Sequence, residues 1–105
     1  MATHKNLYID QGSNFSFTID QVIDLNNYTS RGQIRKSYTS STAIDFNISI
    51  NISESELVCS LTADQTGALK AGRYVYDIEI ISNDSPVAVT RIIEGQVDVT
   101  PRVTI

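Results

Sequence analysis

Ile44-Asp45-Phe46-Asn47-Ile48-Ser49-Ile50-Asn51-Ile52 alternates apolar and polar side chains without a slip. On a helix, at about 3.6 residues per turn, its five apolar residues would scatter around the whole circumference. On a strand they share one face, and Asp45, Asn47, Ser49 and Asn51 share the other. The stretch is therefore expected to be a strand with one face buried. Ser53-Glu54-Ser55 then turns the chain. Leu57, Cys59 and Leu61 resume the alternation, so the two runs are expected to form a hairpin.

The same period extends in both directions. Leu7 to Asp10 is a short run that ends at Gln11-Gly12-Ser13-Asn14, where Gly12 can take a positive φ. Phe15, Phe17 and Ile19 alternate with Ser16, Thr18 and Asp20. The Asx-rich segment Asp24 to Tyr28 can bond its own backbone and turn. Thr29 to Ser37 alternates weakly around Ile34, with a basic polar side, and Gly32 suggests a bulge or a close backbone approach. Downstream, Arg73 to Ile81 places Tyr74, Tyr76, Ile78 and Ile80 on one face of a central strand. Ser82-Asn83-Asp84-Ser85-Pro86 is a strong turn signal, after which Val87 to Glu94 is expected to pair back. Gly95 is expected to break the run before Gln96 to Thr100, in which Val97 and Val99 face inward. Pro101 cannot donate to a ladder, so Arg102 to Ile105 reads as an edge or a tail.

One segment departs from the pattern. Thr62 followed by Gln65 makes a capping box, and Ala63, Ala68 and Leu69 offer an apolar stripe. One or two turns of helix are expected here, ended by Gly72 and crossing between two sheets. Strands about every ten residues, with turn chemistry between them, define an all-β fold: an immunoglobulin-like antiparallel β-sandwich of about seven to nine short strands with one short helical turn. The cysteine and tryptophan hallmarks of antibody domains are absent, since the chain has one Cys and no Trp.

At 105 residues the chain has room for one core, and 1–105 is expected to be a single domain, with 1–5 and 102–105 as tails or partner-docking edges. The net charge of −4 argues against a nucleic-acid partner. Arg31, Arg35 and Lys36 are the nearest approach to a basic cluster and read as a solvated strand edge. MATHKNLYIDQG has no apolar core of a signal peptide, and no run approaches a membrane span, so synthesis in the cytoplasm and no membrane partner are expected.

No catalytic set can be assembled from these residue types, and the chain is expected not to be an enzyme. His4 is the sole histidine and is expected in a frayed end. One His and one Cys cannot make a four-ligand zinc site, so no metal or cofactor is expected. Cys59 shares the parity of Leu57 and Leu61 and reads as a buried small hydrophobe. Asp10, Asp20, Asp24 and the Asn83-Asp84 turn could gather around calcium, but solvated loop acids are the simpler reading. Asp77 and Glu79 stand side by side on one strand face, which is the wrong geometry for a glycosidase pair; a cross-strand partner such as Arg91 is expected instead. The N-x-S/T triplets at Asn14, Asn27, Asn47, Asn51 and Asn83 follow from a composition rich in Asn, Ser and Thr. Tyr74 and Tyr76 are expected in the core with hydroxyls reaching a rim. Tyr28 and Tyr38, expected in loops, are the candidates for stacking on a glycan.

Three stretches, LYIDQGSNFSFTI, LNNYTSRGQIRKSYTSSTA and LTADQTGALKAGRYVYDIEI…VTRIIEGQVDVTPRVT, resemble small virion structural proteins of tailed bacteriophages, particularly of cyanophage-like myoviruses. More loosely, they resemble the immunoglobulin-like N-terminal domains of phage baseplate proteins. The resemblance covers nearly the whole chain and is most specific from AGRYVYDIEI onward. It implies a multi-copy subunit of a symmetric virion assembly whose partners are other virion structural subunits: an accessory of the tail, baseplate or neck, or alternatively a head decoration protein. Edge strands at the N-terminal run Leu7 to Asp10 and the C-terminal run would then carry the contacts, with Val97, Val99, Arg102, Val103 and Ile105 as partner-binding residues. Three other readings compete: a carbohydrate-binding host-recognition module, a small hydrolase, and a secreted adhesin.

Overall fold

A computed structural model describes residues 2–20, 25–40, 43–83 and 87–103. The strands are β1 (Thr3–His4), β2 (Leu7–Asp10), β3 (Phe15–Asp20), β4 (Tyr28–Arg35), β5 (Ile44–Asp45), β6 (Asn47–Asn51), β7 (Glu56–Leu61), β8 (Gly72–Ser82) and β9 (Val89–Thr100). The helix α1 covers Ala63–Gly67 and joins β7 to β8. One sheet runs β1-β9-β8-β4-β5, with β2 also on β9; the other runs β3-β7-β6. Neighbours are antiparallel, except that β1 and β2 lie parallel on β9. Two sheets with this strand order form the expected immunoglobulin-like sandwich.

The Ile44–Ile52 run keeps its alternation but serves two sheets. Ile44 and Asp45 pair with β4, whereas Asn47 to Asn51 pair with β7. The crossover is at Phe46, whose amide donates to the Gly32 carbonyl at 2.9 Å and whose ring is buried. Because the switch preserves parity, Ile44, Phe46, Ile48 and Ile50 all turn inward. Ile52 lies beyond β6 in the turn and is exposed. Gln65 fixes the crossover from the helix: its amide donates to the Asp45 carbonyl at 3.2 Å and its Oε1 accepts from Asn47 at 2.8 Å. Gln65 Oε1 also accepts from the Thr62 amide, closing the capping box expected from the sequence. The inward face of α1 is Thr66 rather than Ala68, which is exposed; Thr66 Oγ1 donates to the Ser13 carbonyl at 2.8 Å. The helix is capped by Ala68, and Gly72 instead opens β8 at φ 142°.

Three rings join the sheets. Tyr76 of β8 packs edge-on against Phe17 of β3 at 6.3 Å and against Phe46 at 6.1 Å, and Phe17 meets Phe46 at 6.0 Å. Tyr74, two residues earlier, donates its hydroxyl to the Lys70 carbonyl at 2.7 Å, four residues upstream. This is the tyrosine corner of immunoglobulin-like folds, and it places Tyr76 where antibody domains have their second disulfide cysteine. The aromatic cluster thus occupies the ground that a disulfide would hold.

β9 is one continuous strand, so Gly95 does not break it as expected. Gly95 marks the place where the N-terminal segment changes from β1 to β2. The Lys5 carbonyl lies directly over Gly95 and accepts from the Tyr76 hydroxyl at 2.6 Å, while the Asn6 side chain accepts from the Gln96 amide at 3.1 Å. A methyl group at position 95 would collide with the Lys5 carbonyl. Gly95→Ala is expected to cost about 1–3 kcal/mol and to raise amide exchange over residues 3–10 before the rest of the sandwich, a pattern that residue-resolved hydrogen exchange would show.

Candidate functional site

The outward face of the larger sheet gathers eight charged side chains from three adjacent strands. β4 contributes Arg31 and Arg35 at alternate positions, β8 contributes Arg73, Asp77 and Glu79, and β9 contributes Arg91, Glu94 and Asp98. Arg91 is outward because of a register shift. Ile78 faces Ile93 but Glu79 faces Arg91, so Ile92 is left over as a bulge and the parity of β9 changes there. Arg91 then reaches Asp77 at 3.3 Å and Glu94 at 3.2 Å. Arg31 binds Glu79 at 2.9 Å, and Arg73 binds Asp98 at 3.1 Å.

A shallow concavity of about 400 Å³ lies in this face, walled by Arg31, Arg35, Tyr38, Asp77, Glu79 and Glu94. Gly32 faces inward on β4, and the Asp77 carbonyl and the Ile78 side chain pack where a side chain would otherwise stand. The close approach expected at Gly32 is therefore present. Partial burial pushes the Asp77 carboxyl above its ordinary value, opposed by Arg91, and Glu79 and Glu94 push the same way. Asp77 and Glu79 each answer a separate arginine, Arg91 and Arg31, along the strands. Exposed pairs of this kind contribute at most about 1 kcal/mol each, so the lattice adds little to stability. What it presents is a surface of paired opposite charges.

The residues expected to bind a partner divide into two groups. Val97 and Val99 are core residues, 0% and 4% exposed, and their strand is flanked by β8 on one side and β2 on the other. The two runs expected to be free edges pair with each other, Leu7 with Val97 and Ile9 with Val99. Val97 and Val99 are thus corrected from contact residues to core. Arg102 and Val103 are exposed. Arg102 lies across Gly12, which holds φ 81° as expected, and Val103 is 97% exposed. Ile105 falls outside the described residues, as do Asp24 and Asp84.

Tyr28 and Tyr38 cannot stack on one sugar ring. Tyr28 opens β4 and packs half-buried on the core, whereas Tyr38 lies beyond the other end of that strand, roughly 25 Å away at about 3.3 Å per residue. Tyr38 is 75% exposed beside the charged concavity. The basic trio does not act as a unit: Arg31 is ion-paired, Arg35 donates to the Tyr38 carbonyl, and Lys36 sits 4.8 Å over the Tyr74 ring. His4 is in β1 rather than a frayed end. Asp10 accepts from the Thr100 hydroxyl at 2.8 Å, and among the described residues no cluster of three or more metal-binding side chains occurs. The Asn51 side chain accepts the Glu54 amide in its local turn, whereas the Asn14 side chain accepts the Ala63 amide at the start of α1. Among the described residues no helix is long and apolar enough to cross a membrane.

Sequence reasoning missed the bulge that turns Arg91 outward and a second groove, about 530 Å³, near α1 between Ile44, Leu69 and Tyr74. The overlong apolar pair Ile92-Ile93 in an alternating strand was the available signal for the bulge. No protein-family model matches this chain, and neither does any curated protein.

Two outcomes follow from the electrostatics. From 3.8, the ordinary aspartate value, up to its raised folded value, Asp77 binds more proton in the native than in the unfolded state. Its contribution to stability therefore falls as pH rises through that window. Asp77→Asn should flatten this part of the pH–stability curve without destabilising the protein at pH 7, as read by denaturant melts across pH. Cys59 is fully buried, and burial pushes its thiol up to about 12. It should react with a thiol reagent only at the rate of global unfolding.

Proposed function

We propose that this chain is a non-enzymatic structural subunit of a tailed-phage particle, an accessory of the tail, baseplate or neck that works through protein–protein contact. One observation carries the reading. Among the described residues, the Cys59 thiol and the Tyr74 and Tyr76 hydroxyls are taken up by the sandwich and the carboxylates of the larger sheet by arginines, whereas strand edges and a charged face are left on the surface. Cys59 is sealed in the core, and the Tyr74 and Tyr76 hydroxyls are spent on backbone carbonyls. The sheet carboxylates Asp77, Glu79, Glu94 and Asp98 face arginines. A surface of this kind selects partners through complementary charge and strand pairing. The resemblance of the three sequence stretches to small virion proteins supplies the particle.

The exposed C-terminal residues Arg102 and Val103 are the proposed attachment to a neighbouring subunit. An apolar side chain 97% exposed next to a strand end contributes nothing to this fold and gains by burial in an assembly. Val103→Asp should leave unfolding free energy within about 0.5 kcal/mol and remove the chain from purified particles, read by quantitative mass spectrometry. Wild-type chain missing from the particles would overturn the assignment. Full incorporation of the variant would overturn the attachment site.

A further inference from the structure

We propose that β3 is the edge through which two copies of this chain associate, antiparallel about a two-fold axis, joining their three-stranded sheets into one. This proposal rests on the edge itself and stands apart from the phage reading. In the order β3-β7-β6, β3 is bonded on one side by β7 across its whole length, Phe15 opposite Leu61 through Asp20 opposite Glu56. Its other side has no strand among the described residues.

The consequence is visible in the side chains. Phe15, Phe17 and Ile19 face the core, as Leu57, Cys59 and Leu61 do on β7. The three β7 residues are at most 2% exposed, yet Phe15 and Phe17 are only half-buried. Among the described residues no strand flanks β3 on that side to close the sandwich over these rings, and Lys5 Nζ stands 5.9 Å from the Phe17 centroid. The other sheet margins are poorer pairing edges. The β1/β2 edge is interrupted at Lys5-Asn6, β5 has two residues, and β6 has five and begins at the crossover. β3 has six residues with no Pro, Gly, Lys or bulge, the devices that normally keep an exposed edge from pairing.

A second copy fits because the strand is self-complementary. With the two-fold on Phe17, Phe17 faces Phe17, Phe15 faces Ile19, and the exposed Ser16 and Thr18 hydroxyls face each other across the pair. Asp20 then lies beside the partner copy's Asn14. The two Asp20–Glu56 ends stand roughly 20 Å apart, at about 3.3 Å per residue. No like charges are brought opposite each other.

Sedimentation velocity of the full chain over a concentration series tests this, together with hydrogen exchange at the two extremes of that series. A reversible dimer is expected, with amides in residues 15–20 gaining protection as concentration rises. Ser16→Lys combined with Thr18→Lys sets ammonium groups opposite each other across the pair and should weaken the dimer by about tenfold or more. The melting temperature of the monomer should hold, because both positions are exposed. Ser16→Lys combined with Thr18→Glu sets opposite charges there and should restore the dimer. A chain that stays monomeric throughout overturns the proposal. So does a dimer indifferent to both double variants, or one whose protection appears at another edge.

Discussion

Tyr76 holds together the parts that no local interaction could. Its ring bridges the two sheets against Phe17 and Phe46, and its hydroxyl reaches the Lys5 carbonyl, 71 residues away in the chain. Buried aromatic rings bring area, while a buried hydroxyl must find an acceptor. The Lys5 carbonyl can serve as that acceptor because Gly95 leaves room for the backbone to pass over β9. The first strands therefore lie parallel on the last one, and the N-terminal segment becomes part of the core. Leu7 and Ile9 are buried with Val97 and Val99 as a result.

A second set of constraints sits where α1 crosses between sheets, beside the Phe46 ring that packs on Tyr76. Gln65 caps its own helix and bonds both sides of the Phe46 crossover, and Gln11 donates to the Leu69 carbonyl. One short helix thus ties down the turn after β2, the passage from β5 to β6 and the entry to β8. Without a disulfide, a domain of this size relies on such polar ties to give its packing a single arrangement. The surface follows another logic. Its ion pairs are solvent-exposed and individually weak, so the charged face contributes little to holding the sandwich together.

The local pattern was legible because a strand's period is two and its signal lies in adjacent residues. The Phe15–Ile19, Leu57–Leu61 and Tyr74–Ile80 alternations all turn inward as read. The capping box at Thr62, the positive φ at Gly12 and the close approach at Gly32 also follow from nearest-neighbour chemistry. The candidate contact residues fared differently. Tyr28 and Tyr38 looked alike in sequence but belong to opposite ends of β4. Val97 and Val99 were correctly read as inward-facing, yet were also assigned to an open edge, which pairing with β2 fills.

The sequence by itself determined that this is an all-β chain, which side chains of each strand turn inward, and where most of the turns and the helix lie. Each of those depends on residues within one turn or one strand of each other. Only the tertiary structure decided that Ile44–Ile52 divides between two sheets, that the termini pair with each other, and that the bulge turns Arg91 outward. It also decided that, among the described residues, β3 is bonded by a strand on one side only. Those outcomes depend on which backbone hydrogen bonds are satisfied by distant strands, and alternation carries no record of a strand's neighbours.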